Sequence, residues 1–256
     1  LQNEQHNIDD LIHLGKLCFF KGYNFESYEC FKIAEILEPN NYELRFYFAL
    51  NMLAFNDTKG CIENLEKAIK IEPNKKDAYL ALGRLYIDLM KRYNDSIYYH
   101  NKYINIDQNC PIAYFNLGLC YYCLRDDDKA IDFFIKCLSL DSERITPYFE
   151  NLIILLRKKK RYQECIDLLK AELLKRPLME AEILRDIGLV FKEMGDFENS
   201  LQYLHDAYEK RPDIYIFMYD FVNLSLEMGR LDNSILALVD KIKEKQRSSD
   251  IRKLLR

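Results

Sequence analysis

The chain has 256 residues, of which 49% are hydrophobic, 13% aromatic and 30% charged, and its formal net charge is −4. This composition is sufficient for a continuous core, and the mild acidity argues against a general nucleic-acid-binding protein, which would carry a broad basic excess. No stretch approaches the roughly 18 unbroken apolar residues that a membrane span needs, and the polar amino terminus does not resemble a secretory leader.

The cysteine, glycine and proline contents indicate an intracellular chain without flexible linkers. Six of the eight cysteines lie inside predicted helices at small or apolar positions, so we interpret them as reduced, buried side chains. Only 8 glycines and 6 prolines are present, too few to form a linker between domains. We therefore expect a single domain located in the cytoplasm, with the nucleus as the alternative compartment.

A small residue recurs along the chain with successive spacings of 34, 35, 34, 35, 35 and 34 residues. Gly, Ala, Ile or Val lies twelve or thirteen residues before each small residue, and a bulky side chain lies four residues after it. A fixed period of this length is typical of helix pairs that stack, each against its neighbours in the chain. The members of this small-residue column are Ser27, Cys61, Ser96, Ala130, Cys165, Ser200 and Ser234.

The residue types at the companion positions predict how each pair packs and ends. A Gly or Ala on the first helix is expected to face the small residue of the second, so that the backbones approach closely and the bulky side chains interlock around the contact. Proline cannot donate to a continuing helix, and Asn or Asp favours the start of the next one. The closing prolines are Pro39, Pro73, Pro177 and Pro212, and the predicted caps are Asn40, Asn74 and Asp213.

This pattern resembles the tetratricopeptide repeat family over roughly residues 8–245, with close matches at Leu82-Gly83-Arg84-Leu85-Tyr86 and Asn116-Leu117-Gly118. The resemblance implies an all-α, right-handed superhelical solenoid of about seven antiparallel helix pairs, forming one domain over residues 1–256. We expect residues 248–256 to begin a capping helix or a truncated repeat. The predicted repeats are 8–41, 42–75, 76–110, 111–145, 146–180, 181–214 and 215–247.

In this family the first helices line a concave groove, and the resemblance assigns the groove positions of this chain. The first half of the groove is apolar and predicts binding of a partner helix or an extended peptide, while packing against neighbouring first helices remains the alternative explanation. The second half is charged, with Glu150, Arg157, Glu182, Arg185, Lys192 and Glu227. The predicted partner-binding residues are Phe46, Leu50, Leu53, Leu80, Arg84, Ile87, Phe115, Asn116, Leu119, Tyr122 and Asn151.

The candidates for chemistry are few. Cys120 and Cys123 form a C-x-x-C pair, but they lie in one predicted helix and no second pair has zinc-finger spacing. His100 occupies a slot that usually holds an apolar residue, which favours a core histidine over a catalytic base. We therefore predict no catalytic residue, no metal site and no cofactor.

A basic run crosses the predicted turn of the fifth repeat. We interpret it as a solvated edge that the acidic run 126–128, one repeat earlier, neutralises. The alternative is a docking patch for an acidic partner or a nuclear signal, although short basic motifs have many false positives. The run consists of Arg157, Lys158, Lys159, Lys160 and Arg161.

The functional expectation is a scaffold or adaptor that binds a protein or peptide partner, within a multiprotein complex and without membrane insertion. Two alternatives stay open. The chain could be the substrate-recruiting arm of a larger enzyme, such as the transferase that attaches N-acetylglucosamine to Ser and Thr, or a homodimerising structural subunit. The sequence does not identify the partner.

Overall fold

The computed structural model describes the backbone of residues 2–140 and 147–254, and side-chain burial for residues 8–140 and 149–243. Its regular elements are fourteen α-helices and one short 3-10 turn, so the predicted all-α fold of successive helix pairs is confirmed. No helix in these ranges has the length and apolar content that crossing a bilayer requires. The helices are α1 Gln2–Phe20, α2 Asn24–Leu37, α3 Tyr42–Ala54, α4 Thr58–Ile71, α5 Asp77–Asp88, α6 Tyr93–Ile106, α7 Pro111–Cys123, α8 Asp127–Leu140, α9 Pro147–Lys158, α10 Tyr162–Lys175, α11 Glu180–Met194, α12 Phe197–Lys210, α13 Tyr215–Glu227 and α14 Asn233–Leu254, with the 3-10 turn at Pro177–Met179.

Helix contacts group the chain into two compact units, an amino-terminal unit of residues 1–152 and a carboxy-terminal unit of residues 153–256. In the amino-terminal unit each helix from α1 to α8 packs on the next in the chain, and first helices also touch one another, as α1 touches α3 and α5 touches α7. In the carboxy-terminal unit the helices from α10 to α14 likewise pack in succession. Neighbour-only packing of this kind is what the repeat period predicts.

The turn between the two helices of each pair contains one residue in the left-handed conformation. These residues lie five positions before the small-residue column, and the next residue donates its N–H back to the first helix, as Asp196 does to the Phe191 carbonyl over 3.0 Å. This closes the helix end in a Schellman motif. The feature is not evident from the sequence, because only three of the seven residues are glycine. They are Gly22, Asn56, Lys91, Arg125, Lys160, Gly195 and Gly229.

The predicted helix caps are displaced. Pro39–Asn40, Pro73–Asn74 and Pro212–Asp213 are turn residues. Asn41, one residue later than predicted, caps α3 by accepting the Leu44 N–H over 3.0 Å. No side chain caps α5 or α13. The prediction was wrong because the dipeptide after the second helix is needed for the turn itself, and the next helix begins only after it.

In four of the seven pairs, the close contact is between a glycine of the first helix and a bulky residue of the second. A Cβ added to Gly118 would lie 2.6 Å from the ring of Phe134, which real side chains do not tolerate. Gly188 faces Leu204 in the same way, and its carbonyl also accepts a hydrogen bond from the Ser200 hydroxyl over 2.7 Å. The sequence predicted that the glycine faces the small residue and that the bulky residues interlock around this contact, whereas in the structure the bulky residue itself lies against the glycine.

The small-residue column is fully buried in six of its seven members, from Ser27 to Ser200. Ser234 departs from the expectation, because it is exposed and bonds to Asp232 at the start of α14. Ile235, Leu238 and Ile242 supply the buried face of that helix instead. α14 continues to Leu254, so a separate capping helix does not begin at Ser248 as expected. The side chains of residues 244–256 lie outside the described residues.

A residue with a Cβ pays a conformational cost in a left-handed turn, of about 1 kcal/mol. We therefore expect Arg125→Gly to stabilise the protein by about 0.5 kcal/mol, because part of the gain is lost to the greater freedom of glycine in the unfolded chain. Arg125→Ala removes the same exposed side chain but keeps the left-handed strain, so it is the matched control. Denaturant unfolding measures both, and equal stabilities for the two variants would contradict the strain argument.

Candidate functional site

The amino-terminal unit contains a cleft of about 340 Å³ between α3 and α5, with α4 as its floor. Its apolar walls face across a gap that no described side chain fills. The charged side chains of Arg84 and Asp88 lie exposed at its rim and form no ion pair with a described residue. We name this feature the α3–α5 cleft; its lining residues are Leu50, Leu53, Cys61, Leu65, Ala81, Arg84, Leu85, Asp88 and Leu89.

Three of the predicted partner-binding residues line this cleft, namely Leu50, Leu53 and Arg84. Most of the other predicted partner-binding residues are half-buried. This is compatible both with binding a partner and with packing against neighbouring first helices. Leu80 packs on a small core cluster while keeping part of its surface accessible, and Phe46 does the same on another. The half-buried members are Phe46, Leu50, Leu53, Leu80, Ile87, Phe115, Leu119, Tyr122 and Asn151.

Asn116 lies elsewhere than predicted. It is only 7% exposed, and its amide nitrogen lies 2.9 Å from His100 Nε2. One N–H of this amide is used by His100, and a partner peptide could displace it only by leaving the buried ring nitrogen without its hydrogen bond. Asn116 therefore belongs to the contact between α6 and α7, and we leave it out of the candidate surface.

His100 is fully buried at the point where the glycine of α5 leaves room for it. Its Nδ1 lies 2.9 Å from the Ser96 carbonyl, and its Nε2 faces the Asn116 amide, so the proton resides on Nδ1 and the ring is neutral. Burial lowers the pKa of His100 to about 4, and nearby Arg84 acts in the same direction. A neutral, fully bonded ring agrees with the predicted core histidine.

The cysteine thiols are less uniformly buried than expected, since four are buried, three are half-buried and Cys123 is exposed. Cys120 donates its thiol to the Ser96 hydroxyl over 3.2 Å, and burial raises its pKa to about 11. The two members of the C-x-x-C pair thus lie in different environments. Within the described residues, no group of three or more His, Cys, Asp or Glu side chains could hold a metal ion.

Charged side chains of the carboxy-terminal unit pair with one another between successive first helices. Arg157 of α9 binds Glu193 of α11 with a separation of 2.5 Å. α11 binds α13 twice, through Arg185 with Asp220 at 2.5 Å and through Lys192 with Glu227 at 2.8 Å. The charges that sequence analysis assigned to an open groove are therefore largely used within the protein, in what we call the ion-pair ladder.

The basic run is also engaged at both ends. Besides the Arg157 pair, Arg161 binds Glu164 through two nitrogens, each at 2.7 Å. Lys160 is exposed and occupies the left-handed turn position. Arg161 lowers the pKa of Glu164 by hydrogen bonding to its carboxylate.

Comparisons with known proteins agree with this architecture. Residues 111–143, which contain all of α7 and α8, match the family model of the tetratricopeptide repeat. A TPR repeat-containing protein of Methanocaldococcus jannaschii is 28% identical over 136 residues, which cover 52% of this chain but only 24% of that protein. The chain thus spans about a quarter of that relative's length.

Two solved structures show the same fold at low sequence identity. The structure of Naa15/Naa10 bound to HypK-THB matches with a TM-score of 0.66 and 15% identity, over 96% of this chain and 36% of that one. YrrB, a TPR protein with an unusual peptide-binding site, matches with a TM-score of 0.58 and 17% identity, over 80% of this chain and all of that one.

The successive helix pairs, their glycine contacts and the cleft between first helices define an α-helical repeat protein of the scaffold type. The match at residues 111–143 identifies that segment as a tetratricopeptide repeat, and the rest of the chain has the fold of solved tetratricopeptide repeat proteins.

The buried His100 makes stability depend on pH in a defined direction. Its pKa is about 4 in the folded protein and 6.5 in the unfolded chain, so the unfolded chain binds a proton that the folded protein excludes between these values. Stability is therefore lost as the pH falls from 6.5 towards 4. We expect His100→Leu to remove up to about 3 kcal/mol of this pH dependence.

Urea unfolding between pH 7.5 and about pH 4 gives the free energy of unfolding of both proteins as a function of pH. The slopes of these two curves are compared rather than the absolute stabilities, because the substitution also leaves the Asn116 amide without its hydrogen-bond partner. His13→Gln, at an exposed histidine, is the control and should retain the wild-type slope. Identical slopes for wild type and His100→Leu would show that folding does not lower the pKa of His100.

Proposed function

We propose that this chain is a protein-interaction scaffold that binds an extended peptide or a partner helix against the first helices of its amino-terminal unit. The central contact of this surface is the α3–α5 cleft, which takes apolar side chains of the partner. The half-buried residues of α7 that were predicted from sequence, Phe115, Leu119 and Tyr122, extend the surface along the neighbouring first helix. We assign no catalytic step to any of these residues.

The observation that carries the proposal is the unfilled apolar volume of the cleft. Side chains of Leu50 and Leu53 on α3 and of Ala81 and Leu85 on α5 line it, and burial of such surface by a partner is favourable by roughly 25 cal/mol per Å². Ala81 is the reason that the gap stays open, because a larger residue at this point of α5 would occupy it. Clefts that combine apolar walls with a few polar groups are the usual form of a binding site.

Arg84 and Asp88 supply the polar groups. They lie one helical turn apart at the rim of the cleft and have opposite charge, yet neither forms an ion pair with a described residue. Opposite charges at a fixed separation favour one orientation of a bound peptide, because reversing the chain would place like charges together. The two charges at the rim therefore select one orientation of the bound peptide, which apolar packing alone would not do.

The proposal does not extend to the carboxy-terminal unit. A partner that bound to Arg185 or Lys192 would have to displace Asp220 or Glu227, so the ion-pair ladder reduces the gain from any new charge contact. For the same reason we do not include the basic run, whose terminal arginines are already paired. The two other interpretations, an enzyme arm and a homodimer, have no comparable observation in their favour.

A peptide-display selection against the full chain tests the proposal. Peptides of about twelve residues are selected, and their affinities are measured by fluorescence anisotropy for the wild type and for Ala81→Leu and Leu50→Glu. Ala81→Leu fills the cleft without adding a charge, whereas Leu50→Glu places a carboxylate on its wall. We expect each to weaken binding at least about tenfold, since an apolar partner group loses its site or meets an unpaired charge.

Leu178→Glu is the matched control, because Leu178 is 95% exposed, lies in the carboxy-terminal unit and should leave affinity unchanged. Thermal unfolding establishes that each variant keeps its fold. If the selected peptides bind the folded Ala81→Leu and Leu50→Glu proteins as tightly as wild type, the α3–α5 cleft is not the binding site.

A further inference from the structure

A second cavity, of about 300 Å³, lies at the junction of the first two repeats and shares no residue with the α3–α5 cleft. Its walls are three aromatic rings, a thioether and one carboxylate. Two of the rings are largely solvent-exposed although the helix packing does not require it, Phe25 at 65% and Phe55 at 47%. We name this feature the aromatic pocket; its lining residues are Phe25, Tyr28, Met52, Phe55 and Asp57.

Two rings of the aromatic pocket meet edge to face rather than in a stack. Tyr28 and Phe55 have centroids 5.7 Å apart and planes inclined at 72°, so the ring that presents its edge keeps both of its faces clear of the other ring. The negative face of an aromatic ring attracts a cation placed over it. Tyr28 already attracts one, since Lys32 Nζ lies 5.7 Å from its centroid, although Lys32 does not line the cavity.

Gly60 holds the polar wall of the pocket in place. A Cβ at this position would lie 2.7 Å from the Met52 sulfur and would overlap the Asp57 carboxylate, so only glycine lets these two groups come together. Asp57 accepts the Gly60 N–H with Oδ1 over 2.8 Å and caps α4. Its charge forms no ion pair with a described residue.

The repeat itself does not demand this set of residues. Counted from the small-residue column and the left-handed turn residue, the positions of Phe25, Tyr28 and Phe55 hold no aromatic residue at any of the five later junctions. The equivalent triplets are Lys59, Ile62 and Met90; Asn94, Ile97 and Leu124; Asp128, Ile131 and Lys159; Gln163, Ile166 and Met194; and Glu198, Leu201 and Met228. Three aromatic residues at one junction are therefore an addition to the packing scheme.

Asp57 favours a positively charged ligand, because its carboxylate lines the pocket. The stretch of sequence that supplies Phe25 and Tyr28, residues 1–40, is acidic overall, with seven carboxylates, three lysines and no arginine. The hydrogen-bonding capacity of the aromatic pocket is low, however, because Asp57 supplies its only carboxylate. An unmethylated ammonium has three N–H donors and a guanidinium has five, and most of these would lose their water without gaining an acceptor. A fully methylated ammonium has no such donor, and its methyl groups match the apolar walls.

We propose that the aromatic pocket binds the trimethylated ammonium of a methyl-lysine side chain on a partner protein, with the aromatic rings around the methyl groups and Asp57 opposite the charge. The site is independent of the α3–α5 cleft and could serve the same partner or another one.

Titration of the full chain with N-acetyl-trimethyllysine amide, followed by NMR, tests the proposal. The comparison ligand is the neutral analogue in which carbon replaces the charged nitrogen, and unmethylated lysine amide is the second. We expect the trimethyllysine probe to bind at least about threefold more tightly than either, because the ring faces attract charge and the pocket offers few acceptors. Equal affinity of the neutral analogue, or no binding of the trimethylated probe, would overturn the proposal.

Variants separate the charge from the fold. Asp57→Asn keeps the cap of α4, since Asn caps helices as well as Asp does, and should weaken binding by removing only the charge. Asp196→Asn is its matched control, because Asp196 caps α12 in the same way by accepting the Asn199 N–H. Phe55→Leu should also weaken binding, whereas Phe197→Leu, at another exposed phenylalanine, should not.

Unchanged affinity in both Asp57→Asn and Phe55→Leu contradicts the site. Tighter binding of free choline than of a trimethyllysine-containing peptide contradicts a protein partner. Leu50→Glu should leave this binding intact, so a failure of the aromatic pocket and a failure of the α3–α5 cleft are distinguishable.

Discussion

The structure depends on how closely the two helices of each pair approach. At Gly118 the absence of a Cβ lets the ring of Phe134 lie directly on the backbone of the first helix, and at Gly188 the side chain of Leu204 does the same. The turn that precedes this contact must reverse the chain in a few residues, which requires one left-handed residue at a fixed distance from it. The sequence therefore repeats every 34 or 35 residues because each helix pair needs one close interhelix contact and one left-handed turn at a fixed distance from it.

Variation of this contact creates the polar interior of the amino-terminal unit. In the third repeat the bulky residue is His100, which fits against a glycine as Phe134 does but carries two nitrogen atoms that must be hydrogen-bonded. Ser96 and Asn116 satisfy them, and Cys120 joins through Ser96. His100, a residue type that often acts as a catalytic base, is therefore an uncharged side chain that links two neighbouring repeats by hydrogen bonds.

First helices form ion pairs with one another in both units, as Lys16 of α1 does with Glu43 of α3, but among the described residues no such pair crosses the α3–α5 cleft. In the carboxy-terminal unit Arg185 and Lys192 each reach an acidic residue of the next first helix, so these charges are satisfied internally. In the amino-terminal unit the small Ala81 leaves apolar walls apart, and Arg84 at the rim has no described ionic partner. The proposed sites lie in the amino-terminal unit because apolar surface and charged side chains at these sites are not already paired within the protein.

The sequence by itself determined the fold class, because the period of small and bulky residues depends only on neighbours in the chain and on the geometry of one helix pair. It also indicated Leu50, Leu53 and Arg84 as accessible positions. Sequence could not place Asn116 in the core or pair Arg157 with Glu193, since both depend on which side chains of adjacent repeats meet. It likewise missed the left-handed residues at Lys91 and Arg125, whose conformation the repeat imposes against their own preference. Only the tertiary structure showed that Phe25 and Phe55 line one pocket. The repeat period predicts that adjacent helix pairs stack, but it does not show which side chains border a gap between them.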